Sequence, residues 1–224
     1  MKQSASPRLV LFDLDNTLID RAEVFRRWGS CFVAQRGLAP DELSWLIDQD
    51  NDGLTPKDAF FDAVRTRYAV SEDTAALVSA YHRDYPSFTV APPAETMAAL
   101  TELRSAGSRL AIVTNGPPMQ EHVIDNAGLR GIVDAVCVSA TVGLRKPDPL
   151  IFGLAAHACG VALDGAWMIG DSPTHDIAGA VASGIRSAWI TRGRPWVETE
   201  YQPTLIADSV SKAVEGLLAF PSPT

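Results

Sequence analysis

Two aspartates two residues apart, Asp13 and Asp15, close the apolar run of the stretch RLVLFDLDNTLI (8–19). Like charges held side by side in apolar surroundings are costly unless something offsets them. Three other places carry polar groups at the end of an apolar run or loop: Thr114-Asn115-Gly116 after RLAIV, Lys146 before Pro147, and Asp171 with Asp176 after AWMIG. Three clustered carboxylates without cysteine or histidine in the set suit a hard divalent cation with oxygen ligands, and Mg²⁺ is the default. Lys146 and free N–H groups at Asn115 and Gly116, opening a helix at Pro117, suit an anion. A dication, an ammonium and oriented N–H groups around one point suit phosphoryl transfer.

These groups converge only if the elements carrying them end at one edge. From Pro92 onward the chain repeats strand, loop and helix. Helical spacing covers 93–106 and stops at Gly107, and apolar strands are expected at 109–114, 133–139, 166–170, 185–191 and 204–207. Helices are expected at 117–128, 147–160, 174–184 and about 209–219, the first two opening on proline, which the first helical turn tolerates. Strands alternating with helices predict an α/β fold, a Rossmann-like parallel sheet core with helices on both faces. Such sheets bind ligands outside the carboxyl ends of their strands. That rule brings all four polar groups to one edge.

Residues 20–90 break the rhythm. Helical patterns at about 20–36, 41–49, 55–68 and 71–85 are separated by Gly37, Pro40, Asp52-Gly53 and Pro56. The expected domains are an α/β core of 1–19 and 91–224 and a helical insertion of 20–90.

Composition bounds the partners. Of 224 residues, 46% are hydrophobic and 21% charged, as in an ordinary globular protein. The net charge of −8 argues against a nucleic acid or an anionic membrane as partner, although a local cationic pocket still admits small anions. Cys31, Cys137 and Cys159 have no metal-ligand spacing and read as small core fillers in a reducing cytoplasm. The first residues lack the apolar stretch of a signal peptide, and nowhere do 18 apolar residues run together. A cytoplasmic location is expected.

FDLDNTL, VTNG, RKPDP and IGDSPTHDIAGA together resemble, in order, the four motifs of the haloacid dehalogenase-like (HAD) superfamily, over about 8–19 and 92–192. The insertion resembles that superfamily's helical C1-type cap domain. The resemblance implies a Mg²⁺-dependent phosphatase of small phosphate monoesters, such as a sugar phosphate, a nucleotide or phosphoglycolate. Asp13 would be the nucleophile and carry an aspartyl-phosphate. Asp15 would protonate the leaving oxygen and then deprotonate the attacking water. The Asp15 backbone carbonyl, with Asp13 and Asp171, would ligate the metal. Thr114 and Asn115 would hydrogen-bond phosphoryl oxygens, and Lys146, held extended by Pro147, would pair with phosphate and Asp13. Asp176 either orients the metal waters or Lys146, or merely suits the helix dipole. Thr17 holds the turn after Asp15 or caps a helix.

Rival readings are weaker. A carbon–halogen hydrolase of this superfamily has no acid two residues after its nucleophile, since a halide leaves without a proton. A phosphomutase needs a cap that excludes water. A phospho-accepting signalling domain is about half this length, and no GxGxxG follows the first strand for a dinucleotide. A silent phosphate-binding relative would lack some of the chemical groups, and none is missing. His82, His122 and His157 fall in helical patterns and read as ordinary helix residues; His175 stands between Asp171 and Asp176. Residues 20–84 hold twelve acidic and eight basic residues, so the insertion is no basic patch. Arg21, Arg26, Arg27 and Trp28 follow the first motif; most are expected on solvated helix faces, and Trp45, Phe60 and Phe61 in the insertion's core. A closing cap would favour a small metabolite over a phosphoprotein.

Overall fold

Leu9–Phe12 form a strand, β1, whose four side chains are all buried. A strand apolar on both faces belongs in the interior of a parallel sheet. In the computed structural model, which describes residues 7–221, β1 is joined by β2 (Arg109–Thr114), β3 (Ala135–Val138), β4 (Trp167–Gly170), β5 (Arg186–Ile190) and β6 (Leu205–Ala207). All neighbours are parallel and the order is β3-β2-β1-β4-β5-β6. The order reverses at β1 and β4, whose carboxyl ends form the switch point where such sheets bind ligands. The α/β Rossmann-like class is thus the observed one. The chain divides into two compact units, residues up to 19 with those from 91, and residues 20–90.

The second unit is helical: α1 (Arg21–Gln35), α2 (Glu42–Asp50), α3 (Lys57–Tyr68) and α4 (Thr74–Asp84). Asp20 caps α1 by accepting the Glu23 N–H at 3.0 Å. Trp28 stands edge-on to Phe61 and Tyr81, at 6.0 and 4.9 Å between ring centres, and Phe60 and Phe61 are buried beside it. Trp45 is only half-buried, edge-on to Tyr68. Arg26 and Arg27 are exposed and pair with Glu23, as solvated residues do. Arg21 departs from that expectation. It is buried and reaches both oxygens of the buried Asp50 at 2.8 and 3.0 Å, while Lys57 takes the same carboxylate at 2.5 Å.

The sheet's crossovers are α5 (Ala94–Ser105), α6 (Gln120–Asn126), a short α7 (Ser139–Val142), α8 (Pro149–Ala158), α9 (Ala178–Ala182) and, after β6, α10 (Val210–Ala219). Gly107, at φ +89°, lets the chain leave α5 in the left-handed conformation expected there. Two expectations shift. The helix predicted from Pro117 begins at Gln120, because Pro117, Pro118 and Met119 accept from residues three ahead and form a tighter opening turn. The helix predicted over 174–184 is a π turn at Pro173–Ile177 followed by α9. Cys137 and Cys159 fill the core as expected, whereas Cys31 is half-buried. Among the described residues no helix is long and apolar enough to cross a membrane.

Candidate active site

The site is built where β1 and β4 end. Asp13 extends the ladder by donating its N–H to the Ile169 carbonyl of β4 at 2.9 Å, which fixes its backbone beside Asp171. The chain then turns tightly: Leu18 and Ile19 donate to the Leu14 carbonyl, and Asn16 takes φ +62°, a left-handed conformation that asparagine tolerates. Thr17 lies inside this turn. Its helix-capping alternative is excluded, because Asp20 caps α1.

Lys146 reaches the same point from the loop before α8. Its side chain is 2% exposed, and Nζ donates to Asp13 Oδ1 and to Asp176 Oδ1, both at 2.6 Å. Asn115 holds this lysine from the end of β2. Its amide donates to the Lys146 carbonyl at 2.8 Å and accepts the Lys146 N–H at 2.9 Å. The Lys146–Pro147 peptide is cis. Thr114, the last residue of β2, is buried. The Gly116 N–H, expected to be free for an anion, donates instead to Ser139 Oγ at 3.0 Å. With α6 starting at Gln120, no α-helix opens directly at Pro117; a tighter turn stands there.

Asp171 is anchored from β5 and the loop after it. Trp189 Nε1 donates to its carbonyl at 2.9 Å, and Arg194 donates to that carbonyl at 2.6 Å and to the carboxylate at 3.0 Å. Asp176 accepts the Ser172 N–H with the oxygen that Lys146 does not take. Ser172 already caps the π turn, its hydroxyl accepting the His175 N–H; capping alone therefore does not explain Asp176. His175 also pairs with the Ser172 hydroxyl, and burial with nearby Lys146 and Arg145 holds it below its ordinary value, neutral at pH 7.

Electrostatics follow from this crowding. Burial pushes Asp13 up to about 7, with Asp176 adding to the effect and Lys146 opposing it. Burial raises Asp176 too, against Lys146. Burial alone would lower Lys146, but the two carboxylates outweigh it and raise it, so it stays charged. One oxygen from each of Asp13, Asp171 and Asp176 lies within 4.8 Å of the others. Lys146 serves Asp13 and Asp176, Arg194 and Arg192 lie 3.0 and 3.5 Å from Asp171, and the three converging carboxylates form an all-oxygen donor set that suits a hard dication such as Mg²⁺. The residues fit that metal.

Four contributors were not evident in the sequence reading. Gln120 donates to Asp15 Oδ2 at 2.5 Å, Ser139 receives Gly116, and Trp189 and Arg194 anchor Asp171. Ser139 follows the apolar run VDAVCV, so the strand-end rule that found Thr114 would have found it. Nothing in periodicity or composition marks the other three.

A family model described as Hydrolase: haloacid dehalogenase-like hydrolase matches residues 7–184. The chain is 37% identical over 147 residues to the phosphoserine phosphatase of Thermus thermophilus, a match covering 65% of this chain but only 58% of that relative. It is 30% identical to the glyceraldehyde 3-phosphate phosphatase of Pyrococcus abyssi, over 84% of this chain and 82% of that one. Its fold is like that of the HAD-hydrolase YfnB from Bacillus subtilis, solved bound to magnesium: TM-score 0.79, 22% identity, 94% of this chain and 98% of that one.

Proposed function

We propose, on the premise that this chain belongs to the haloacid dehalogenase-like hydrolases, that it hydrolyses a small phosphorylated metabolite through an aspartyl-phosphate on Asp13. Membership, together with phosphatase relatives, makes it a hydrolase of phosphoric monoesters. The observation that carries the covalent reading is Lys146, buried and bonded at 2.6 Å to both Asp13 and Asp176. An ammonium so placed keeps the nucleophile oriented and supplies the charge that a transferring phosphoryl group needs.

In this reading Asp13 attacks phosphorus, and the bond from phosphorus to the ester oxygen breaks. Asp15 gives its proton to that oxygen as it leaves. Water then attacks the aspartyl-phosphate, Asp15 takes the water's proton, and phosphate and free Asp13 result. Thr114 donates its hydroxyl to a phosphoryl oxygen, and Asn115 holds the backbone of Lys146. Asp13, Asp171 and the Asp15 carbonyl would hold Mg²⁺, which when bound offsets the repulsion between a carboxylate and a phosphate dianion. Asp176 orients Lys146. The helical unit 20–90 is read as the cap domain that selects a small ester. Asp15 disfavours carbon–halogen hydrolysis, which needs no acid.

The test is phosphate release from p-nitrophenyl phosphate and a panel of sugar phosphates, nucleotides, phosphoserine and phosphoglycolate, with Mg²⁺ and with excess EDTA. Release that requires Mg²⁺ and disappears in Asp13→Asn is the expected result. Undiminished release by Asp13→Asn would remove the covalent mechanism.

A further inference from the structure

Gln120 is the first residue of α6, 105 residues from Asp15 in sequence, yet its Nε2 lies 2.5 Å from Asp15 Oδ2. The side chain is buried, 4% exposed for the residue as a whole, and its Oε1 is also buried and has no hydrogen-bond partner. A buried acceptor left unpaired is costly, and an apolar side chain of similar volume would avoid that cost. Packing therefore does not account for an amide here. The donation to Asp15 does. Nε2 is the atom that faces Asp15, and with Asp15 ionised, turning the amide over would set two acceptors in contact.

The loop after β2 confines this amide. A Cβ added at Gly116 would stand 2.7 Å from Gln120 Cγ and 3.1 Å from Nε2. Gly116 thus lets the loop backbone press on the glutamine and limit its rotamers. Since the Gly116 N–H is already donated to Ser139, close approach is what the missing side chain provides.

We propose that Gln120 is a positioning residue that holds the Asp15 carboxyl in line with the leaving oxygen, and that Gly116 keeps Gln120 in place. This rests on the reading of Asp15 as the acid. An acid misplaced by about 1 Å is expected to lose on the order of 100-fold in rate. The loss should fall on esters whose oxygen needs a proton to leave, and spare those that leave as stable anions.

The experiment compares kcat/KM, which reports bond cleavage to the leaving group, for glycerol phosphate and for dinitrophenyl phosphate. Wild type, Gln120→Met and Asp15→Asn are measured. Asp15→Asn should lose activity on glycerol phosphate far more than on the dinitrophenyl ester. Gln120→Met should show the same split, losing about 10–100-fold on the first and less than about 3-fold on the second. Equal losses on both esters in Gln120→Met, with a split in Asp15→Asn, would overturn the role of Gln120 and leave Asp15 standing. No split in Asp15→Asn would overturn the acid reading and the inference with it. Should Gln120→Met fail to fold, Gly116→Ala takes its place: it retains both partners, displaces the amide and must reproduce the split.

Discussion

Lys146 and Asp176 form an ion pair removed from water, Nζ to Oδ1 at 2.6 Å, with side chains 2% and 0% exposed. The same ammonium serves Asp13, so Lys146→Met would leave two buried carboxylates without their cation. Removing one member of a buried pair costs about 3–5 kcal/mol. Asp13 and Asp176 would answer by taking up protons, which removes the carboxylate proposed as the nucleophile. The expected outcome is a large fall in the urea midpoint together with loss of turnover. An unchanged midpoint would mean that Lys146 is not held by these two groups.

Gly170, the last residue of β4, is a glycine beside the carboxylate cluster for a spatial reason. A Cβ added there would collide with the Asp176 carboxylate, which is fully buried and held by Lys146 and Ser172. Overpacking a rigid site costs about 1–3 kcal/mol, and Asp176 cannot yield without breaking its bonds. Gly170→Ala should therefore lower Tm and phosphate release together. Gly107→Ala, where a Cβ meets nothing within 4 Å but φ is +89°, separates backbone strain from collision: it should lower Tm alone.

The sheet and the polar cluster at its carboxyl edge were legible in the sequence for a plain reason. A buried parallel strand reads as an unbroken apolar run, and a charged or hydroxyl residue directly after it, such as Asp13, Thr114 or Asp171, has only the carboxyl edge to occupy. Strand 109–114 was read to the residue. Side chains that reach the site from inside other elements leave no such mark. Gln120 opens a helix and Trp189 sits in a strand, each where its residue type is ordinary. The hydrogen-bond partner of a backbone N–H is equally invisible, which is why Gly116 was read as an anion donor and proved to be engaged by Ser139. Arg21 was missed because a lone arginine in an amphipathic helix predicts a solvated face, and only the fold brings Asp50 to it.

That Asp50 cluster makes a pH prediction. Burial would raise the Asp50 carboxyl, but Arg21 and Lys57 outweigh it and hold the folded-state pKa below the ordinary value. A depressed folded pKa contributes stability above the unfolded value of about 3.9, and that contribution is lost as pH falls through the folded pKa. Asp50→Asn should therefore be less stable than wild type by about 3–5 kcal/mol at pH 7. The gap should narrow as pH drops below about 4. Urea unfolding at both pH values checks this, and a gap that does not change with pH would show that the charge of Asp50 is not what holds the cluster.

Metal binding should be visible without turnover. The oxygens of Asp13, Asp171 and Asp176 lie within 4.8 Å of one another, with Lys146 paired to Asp13 and Asp176 and Arg194 to Asp171. A ligand that binds only the folded protein stabilises it by RT ln(1 + [L]/Kd), about 2.7 kcal/mol at a hundredfold excess over Kd. Mg²⁺ should raise Tm in a saturable way, EDTA should reverse the rise, and Asp171→Asn should abolish it. Na⁺ at the same ionic strength should give little of the effect, because screening acts weakly on buried charges. A rise that persists in Asp171→Asn would place the cation away from this carboxylate cluster, and one matched by Na⁺ would reduce it to ionic strength.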